Sequence, residues 1–200
     1  MGKGRSAGIE FMAQKTAGKT TGWLSYTLSK SDRKFTKEGI NNGEWFPYKY
    51  DRRHSINLTI NHKFSDRIDI GASWVFYTGG TSTIPEEKTT VIRPHNGANN
   101  GFLWYGTYDN TNSSPTIGDV SYIEHRNNFR LPASHRLNLG VNFNKKTKHG
   151  MRTWNISLYN AYNAMNPAWV YRGHNKQGLS VIKKYTLLPL IPSFTYTYKF

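Results

Sequence analysis

The chain has 200 residues, with 27 basic and 12 acidic side chains and a formal charge of +15. Its longest unbroken apolar runs, Trp74–Tyr77 and Phe102–Tyr105, have about four residues against roughly 20 for a spanning helix, which excludes a helical membrane protein. The 10 Phe, 13 Tyr and 6 Trp argue against disorder, and the lack of cysteine excludes disulfide scaffolds, cysteine zinc sites and thiol catalysis.

The opening Met1-Gly2-Lys3-Gly4-Arg5-Ser6 is followed by no apolar signal segment. That leaves a cytoplasmic protein or the tail of a longer chain, and Gly2 fits a myristoylation site only loosely. From there the pattern has a period of two. Ile9, Phe11 and Ala13 predict a strand over 5–16, and Leu24, Tyr26 and Leu28 a second over 20–34. Ile56, Leu58 and Ile60 alternate with Asn57, Thr59 and Asn61 and predict a strand over 52–63. Ile68, Ile70, Ala72, Trp74 and Phe76 predict one over 67–79. Leu137, Leu139, Val141 and Phe143 predict 134–145, and Trp154, Ile156 and Leu158 predict 151–162. The chain closes with a strand over 190–200, in which Phe194, Tyr196, Tyr198 and Phe200 alternate with Thr195, Thr197 and Lys199. Successive strand side chains point to opposite sides, so each segment has one apolar and one polar face.

The connections alternate too. Short turns fall at Ala17-Gly18-Lys19, at Ser65-Asp66 and at Lys146 to Gly150; long loops fall at about 35–51, 80–133 and 163–189. A transmembrane β-barrel has this asymmetry, with tight periplasmic turns and long outer loops. A soluble β-sandwich is the competing fold, but a structureless loop over 80–133 is foreign to a compact soluble domain. The expected fold is therefore all-β, an antiparallel transmembrane barrel wall. Trp23, Trp74, Phe76, Tyr77, Phe143, Trp154, Tyr162 and Tyr198 lie near strand ends, as girdle residues do; ordinary β-propensity places aromatics there as well. Seven strands cannot close a bacterial barrel, whose strand number is even. Further strands are expected upstream.

The last alternating aromatics, Phe194, Tyr196, Tyr198 and Phe200, look like the C-terminal signal read by the barrel-assembly machinery. Three further segments carry a resemblance: Tyr50-Asp51-Arg52-Arg53-His54-Ser55-Ile56-Asn57-Leu58, Leu131-Pro132-Ala133-Ser134-His135-Arg136-Leu137-Asn138-Leu139-Gly140, and Leu158-Tyr159-Asn160-Ala161-Tyr162-Asn163-Ala164-Met165-Asn166-Pro167. In order and spacing the whole of residues 1–200 resembles the C-terminal part of TonB-dependent outer-membrane receptors of the Bacteroidetes type. The resemblance implies about seven strands of a barrel of about 22, located in the bacterial outer membrane among lipid and lipopolysaccharide. It implies a parent that takes up a scarce nutrient (a siderophore, vitamin or oligosaccharide) with energy delivered by TonB. The plug domain and TonB box of that family have no counterpart here, so coupling to TonB is expected through an N-terminal region of the parent.

No catalytic constellation is found, and an enzyme is not expected. The seven histidines, His54, His62, His95, His125, His135, His149 and His174, show no metal-ligand spacing. Glu86 and Glu87, if in a strand, point to opposite faces. No cofactor is expected. The loop 80–133 offers the best ligand surface, with Trp104, Tyr105 and Tyr108 among asparagines, and Tyr48, Trp169 and Tyr171 in other outer loops can join it. A loop packed on itself reads the same way. Lys15, Lys19, Lys145, Lys146 and Lys148 are expected at the periplasmic rim. Arg33, Lys34, Lys49, Arg52, Arg53, Arg130 and Arg136 are expected at the outer rim, against lipid phosphates or simply in water. The alternative function is a soluble, basic, β-rich module for nucleic acid or another polyanion. Nucleic acid is the weaker partner, because the strands and the long loop exceed a five-stranded oligonucleotide-binding barrel.

Overall fold

The computed structural model of the chain describes residues 1–35, 40–93 and 116–200. It forms two compact units, one of residues 1–84 with 125–200 and one of residues 85–124. In chain order the strands are β1 (Gly2–Lys15), β2 (Thr20–Phe35), β3 (Phe46–Pro47), β4 (His54–Lys63), β5 (Ile68–Tyr77), β6 (Thr81–Ser82), β7 (Glu87–Arg93), β8 (Thr116–Tyr122), β9 (Phe129–Arg130), β10 (Ser134–Thr147), β11 (Gly150–Tyr159), β12 (Pro167–His174), β13 (Ser180–Thr186) and β14 (Ile191–Lys199). Among the described residues the only helical element is a single 3-10 turn, Asn41–Gly43.

The larger unit is built on one antiparallel meander in the order β1-β2-β4-β5-β10-β11-β14, with β3 added to β2. These seven strands are the seven that alternation predicts, within about three residues at each end. The sheet is open: among the described residues β1 pairs only with β2, and β14 only with β11. Among the described residues the sheet does not close into a barrel. The smaller unit is the hairpin β7–β8, registered from Glu87 opposite Tyr122 to Arg93 opposite Thr116.

The register fixes the stagger. Lys15, Gly22, Ile60, Ala72, Leu139, Leu158 and Pro192 stand in one row across the seven strands. Lys15 is the last residue of β1, at the end of the short turns. Pro192 is the second residue of β14, at the end of the long loops. Six neighbour pairs thus accumulate a shift of about seven residues. At about 3.4 Å per residue and 4.8 Å between strands, the strands lean by about 40° from the normal to the line of turns. Gly22 makes the tight approach in this row possible, since a Cβ there would run into the Thr59 carbonyl. The β1–β2 turn uses Gly18 at φ +93°, a left-handed conformation.

Register also sorts the faces, because directly opposed residues share one. Phe11 faces Tyr26, Tyr26 faces Ile56, and Ile56 faces Phe76. Trp74 faces Leu137, Val141 faces Ile156, and Ile156 faces Phe194. Every apolar set read from the sequence falls on this one side. The other side carries Ser25 opposite Asn57, Thr59 opposite Ser73, Asp69 opposite Asn142, and Asn155 opposite both Asn142 and Thr195. Trp23 opposes Thr59 and Tyr77 opposes Ser55, so these two aromatics belong to the polar face and not to a girdle on the apolar one.

The long connections differ from expectation. Residues 163–189 contain the hairpin β12–β13, with a bulge between Pro167 and Trp169. The stretch 80–133 contains β7–β8 and the short pairing of β6 with β9. At the end of β11, Asn160 and Asn163 adopt φ of 53° each, a conformation that asparagine tolerates better than most residues. Asn160 is almost fully buried. Its amide donates to the carbonyls of Ala164 and Leu188, and its Oδ1 accepts from the Ala164 N–H. Asn163 Oδ1 accepts from the Leu190 N–H. The two asparagines therefore tie the turn to the strand that returns.

Candidate functional site

The distribution of buried groups is inverted relative to a soluble domain. Among the described residues the buried apolar side chains are Phe46 and Ile84, whereas Asp32, Asn41, Asp51, Thr81, Ser134 and Asn160 are buried polar ones. Among the described residues of the larger unit, nothing covers the apolar face of the sheet. Thirteen of its large side chains are at least a third exposed, among them Ile9, Phe11, Leu28, Ile156 and Phe194. A contiguous exposed apolar patch of this kind is rare on a monomeric soluble protein. No helix is long and apolar enough to cross a membrane, which says nothing of strands.

Amphipathic groups edge this face. Toward the long loops, Trp74 Nε1 donates to Tyr162 Oη at 3.1 Å, and that hydroxyl meets His135 Nδ1 at 2.8 Å. Tyr26 Oη meets His54 Nδ1 at 2.9 Å. Toward the short turns, Thr20 Oγ1 meets His62 Nδ1 at 2.7 Å, and the His62 ring packs edge-on against Phe64. His54, His62 and His135 are thus hydrogen-bonded to Tyr26, Thr20 and Tyr162 at the edges of the apolar face. Of the C-terminal aromatics, Phe194 and Tyr196 pack against Trp154, and Tyr198 meets Phe200.

The polar face carries a side-chain ladder. The Asp69 carboxylate accepts from Asn142 at 2.6 Å and from Asn144 at 2.7 Å. Asn142 Oδ1 accepts from Asn155, and Asn144 Oδ1 from Thr153 Oγ1. Such a face is satisfied in water or against a polar partner.

The long-loop end holds a buried ionic staple that the sequence did not reveal. The Asp51 carboxylate has Arg53 Nε at 2.8 Å and Arg130 Nη2 at 2.6 Å, and its Oδ1 accepts the Ser31 N–H at 2.6 Å. Arg130 also donates to the carbonyls of Asp51 and Gly79. Burial pushes the Asp51 carboxyl up, but the hydrogen bonds from Arg130, Ser31 and Arg53 outweigh it and hold the carboxyl below its ordinary value. Arg53 and Arg130, expected at the outer rim, are therefore bound to Asp51. Arg136 lies over the Tyr159 ring and bonds its hydroxyl.

The expected ligand residues fall in three places. Trp104, Tyr105 and Tyr108 lie outside the described residues. Trp169 and Tyr171 are half-exposed on β12, where Trp169 stacks on Tyr185 at 4.3 Å between centroids. Tyr48 sits before β4, edge-on to Tyr50 at 5.5 Å and beneath the Arg33 guanidinium at 4.2 Å. No ring contact among the described residues joins Tyr48 to Trp169 or Tyr171. Two more residues that were read only as rim charges have ring partners: Lys49 stands over Tyr50 at 5.5 Å, and Arg52 over Tyr77 at 4.0 Å. Adjacent basic and aromatic residues in Tyr48-Lys49-Tyr50-Asp51-Arg52-Arg53 were the available signal. Compared with known protein families, curated proteins and solved structures, the chain finds no match.

Proposed function

We propose that the chain is the C-terminal wall of a TonB-dependent outer-membrane receptor, seven strands of a larger transmembrane barrel. The observation that carries this reading is the apolar face, continuous over seven strands and uncovered among the described residues, backed by a polar face of amides and hydroxyls. Burying the exposed remainder of thirteen large apolar side chains gains on the order of 1 kcal/mol each. The sum is on the order of the whole folding free energy of a domain. Water forfeits that gain, and lipid supplies it.

Three features support the reading. The meander strands are 9 to 16 residues long, against about 9–11 needed to cross a bilayer at a tilt. The lean of about 40° matches that of outer-membrane barrels. Indole, phenol and imidazole groups edge the apolar face where a bilayer meets water. In this reading the short turns are periplasmic and the long connections face outward. The parent captures a nutrient on the outside and passes it along the polar face with TonB-derived energy. Lipid and lipopolysaccharide contact the apolar face, and the assembly machinery reads Phe194 to Phe200.

The test is a gel of outer-membrane extracts, boiled and unboiled, probed with an antibody to residues 190–200. The expected result is a band several times 23 kDa that shifts on heating. A soluble 23 kDa band that needs no detergent would overturn the proposal and leave the basic β-rich binding module.

A further inference from the structure

We infer that Arg33, Lys49 and Arg52, with the rings of Tyr48, Tyr50 and Tyr77, form a binding site for a multiply charged oxyanion, a ligand bearing carboxylates or phosphates. Charge accounting is the first ground. From Trp45 to Arg53 the sequence holds one acidic residue, Asp51. Asp51 is taken up by Arg53 and Arg130, and the neighbouring Asp32 by Arg5 and Lys30. Among the described residues, Arg33, Lys49 and Arg52 form no ion pair. Their charged ends lie instead over Tyr48, Tyr50 and Tyr77.

The second ground is the geometry of the donors. A guanidinium stacked on a ring leaves its N–H edges open at the side, and that planar edge suits the paired oxygens of a carboxylate or phosphate. Of the Arg33 donors, Nη1 has one long bond, 3.3 Å to the Asp32 carbonyl.

Rigidity is the third ground. Three hydrogen bonds pin the backbone beneath: Tyr48 N–H to Ser31 O at 2.9 Å, Asp51 N–H to Tyr48 O at 2.8 Å, and Thr81 N–H to Lys49 O at 3.0 Å. Thr81 Oγ1 adds a bond to Tyr48 O. Gly80 passes so close to Lys49 that a Cβ there would lie 2.6 Å from its carbonyl oxygen. A loop fixed in this way presents its cations without the ordering cost that a mobile loop incurs on binding. That the patch captures the imported nutrient rests on the function proposed above; that it binds oxyanions rests on this geometry alone.

The full chain in detergent is titrated calorimetrically with pyrophosphate, with citrate and with the neutral sugar maltotriose. Pyrophosphate or citrate is expected to bind, more weakly as salt rises, and maltotriose not to bind. Which of the two binds more tightly tells phosphate from carboxylate ligands. The double variant R33Q/R52Q is expected to weaken binding at least tenfold, and K49Q several-fold, while K145Q/K146Q at the far end of the sheet leaves it unchanged. Circular dichroism checks that each variant keeps its sheet. The inference is overturned if neither anion binds the parent chain, or if K145Q/K146Q weakens binding as much as R33Q/R52Q. A failure here with the heat-shifting band intact removes the anion site alone. Anion binding by a soluble 23 kDa product removes the transporter reading alone.

Discussion

Ile156 gives the sharpest discrimination between a bilayer and water. It is the middle of the three apolar residues of β11, flanked on its face by Val141 and Phe194, and it is half-exposed in the chain itself. If this face meets lipid, Ile156→Lys places an ammonium near the centre of the apolar band. That costs about 2–4 kcal/mol in an outer-membrane barrel. If the face meets water, the same change swaps one half-exposed side chain for another, and surface substitutions of that kind fall within about 0.5 kcal/mol. The two environments therefore differ by a factor of at least about ten in the unfolding equilibrium. Urea titration of the chain reconstituted in phosphocholine vesicles, followed by tryptophan fluorescence, reads the difference. Asn155→Lys, one residue away on the polar face, is the control and is expected to stay within about 1 kcal/mol. Equal effects of the two substitutions would refute the assignment of faces to lipid and water.

Other outcomes follow from the loops. Asp51→Ala strands two guanidinium groups and the Ser31 N–H. Because Arg53 and Arg130 are each about a third exposed and can rehydrate, the expected loss is about 2–3 kcal/mol, below that of a fully buried pair; a denaturant midpoint shift checks it. The Asp51 carboxyl is held below its ordinary value in the folded chain. Its contribution is therefore complete above about pH 4 and fades as pH falls through the folded value, so the gap between the parent chain and Asp51→Asn should narrow only in acid. Asn160→Ala removes three side-chain hydrogen bonds and leaves alanine at φ 53°, an expected loss of about 2–4 kcal/mol. Asn160→Gly relieves the backbone part and should recover about 1 kcal/mol of it in the same titration. Deleting Phe200 is expected to lower the amount of heat-shifting band several-fold without lowering synthesis, measured by pulse labelling.

The meander was legible because its signal is local. Alternation at Ile68 to Phe76 or Leu137 to Phe143 assigns both the strand and its face, and nothing distant is needed. The hairpin β12–β13 was hidden because each face mixes classes: Val170 faces Lys184 and Arg172 faces Ile182, so no period of two survives. The Asp51 staple was hidden for a different reason. Its partners Ser31 and Arg130 are 20 and 79 residues away, and only the fold brings them together. Asn160 lay inside a segment singled out for its sequence, but its work, binding Leu188 across 28 residues, is visible only in three dimensions. Of the aromatic ligand candidates, Tyr48 gained basic neighbours that adjacency alone could not orient.

The two bare edges of the meander have a kinetic consequence. Among the described residues, the outer edges of β1 and β14 each present a row of unpaired backbone donors and acceptors, open to any strand of suitable length. One copy of the chain can offer its β14 to the β1 of another, and each such addition leaves a fresh edge at either end. Association of this kind runs on as an open series unless its rotation closes it into a ring, and it grows with concentration. If the chain is the wall of a larger barrel, as proposed above, productive assembly is a race: a proper neighbour has to zip onto each edge before a sister chain does. A holding factor that shields β1 and β14 during synthesis would raise the yield without touching a single contact in the finished structure.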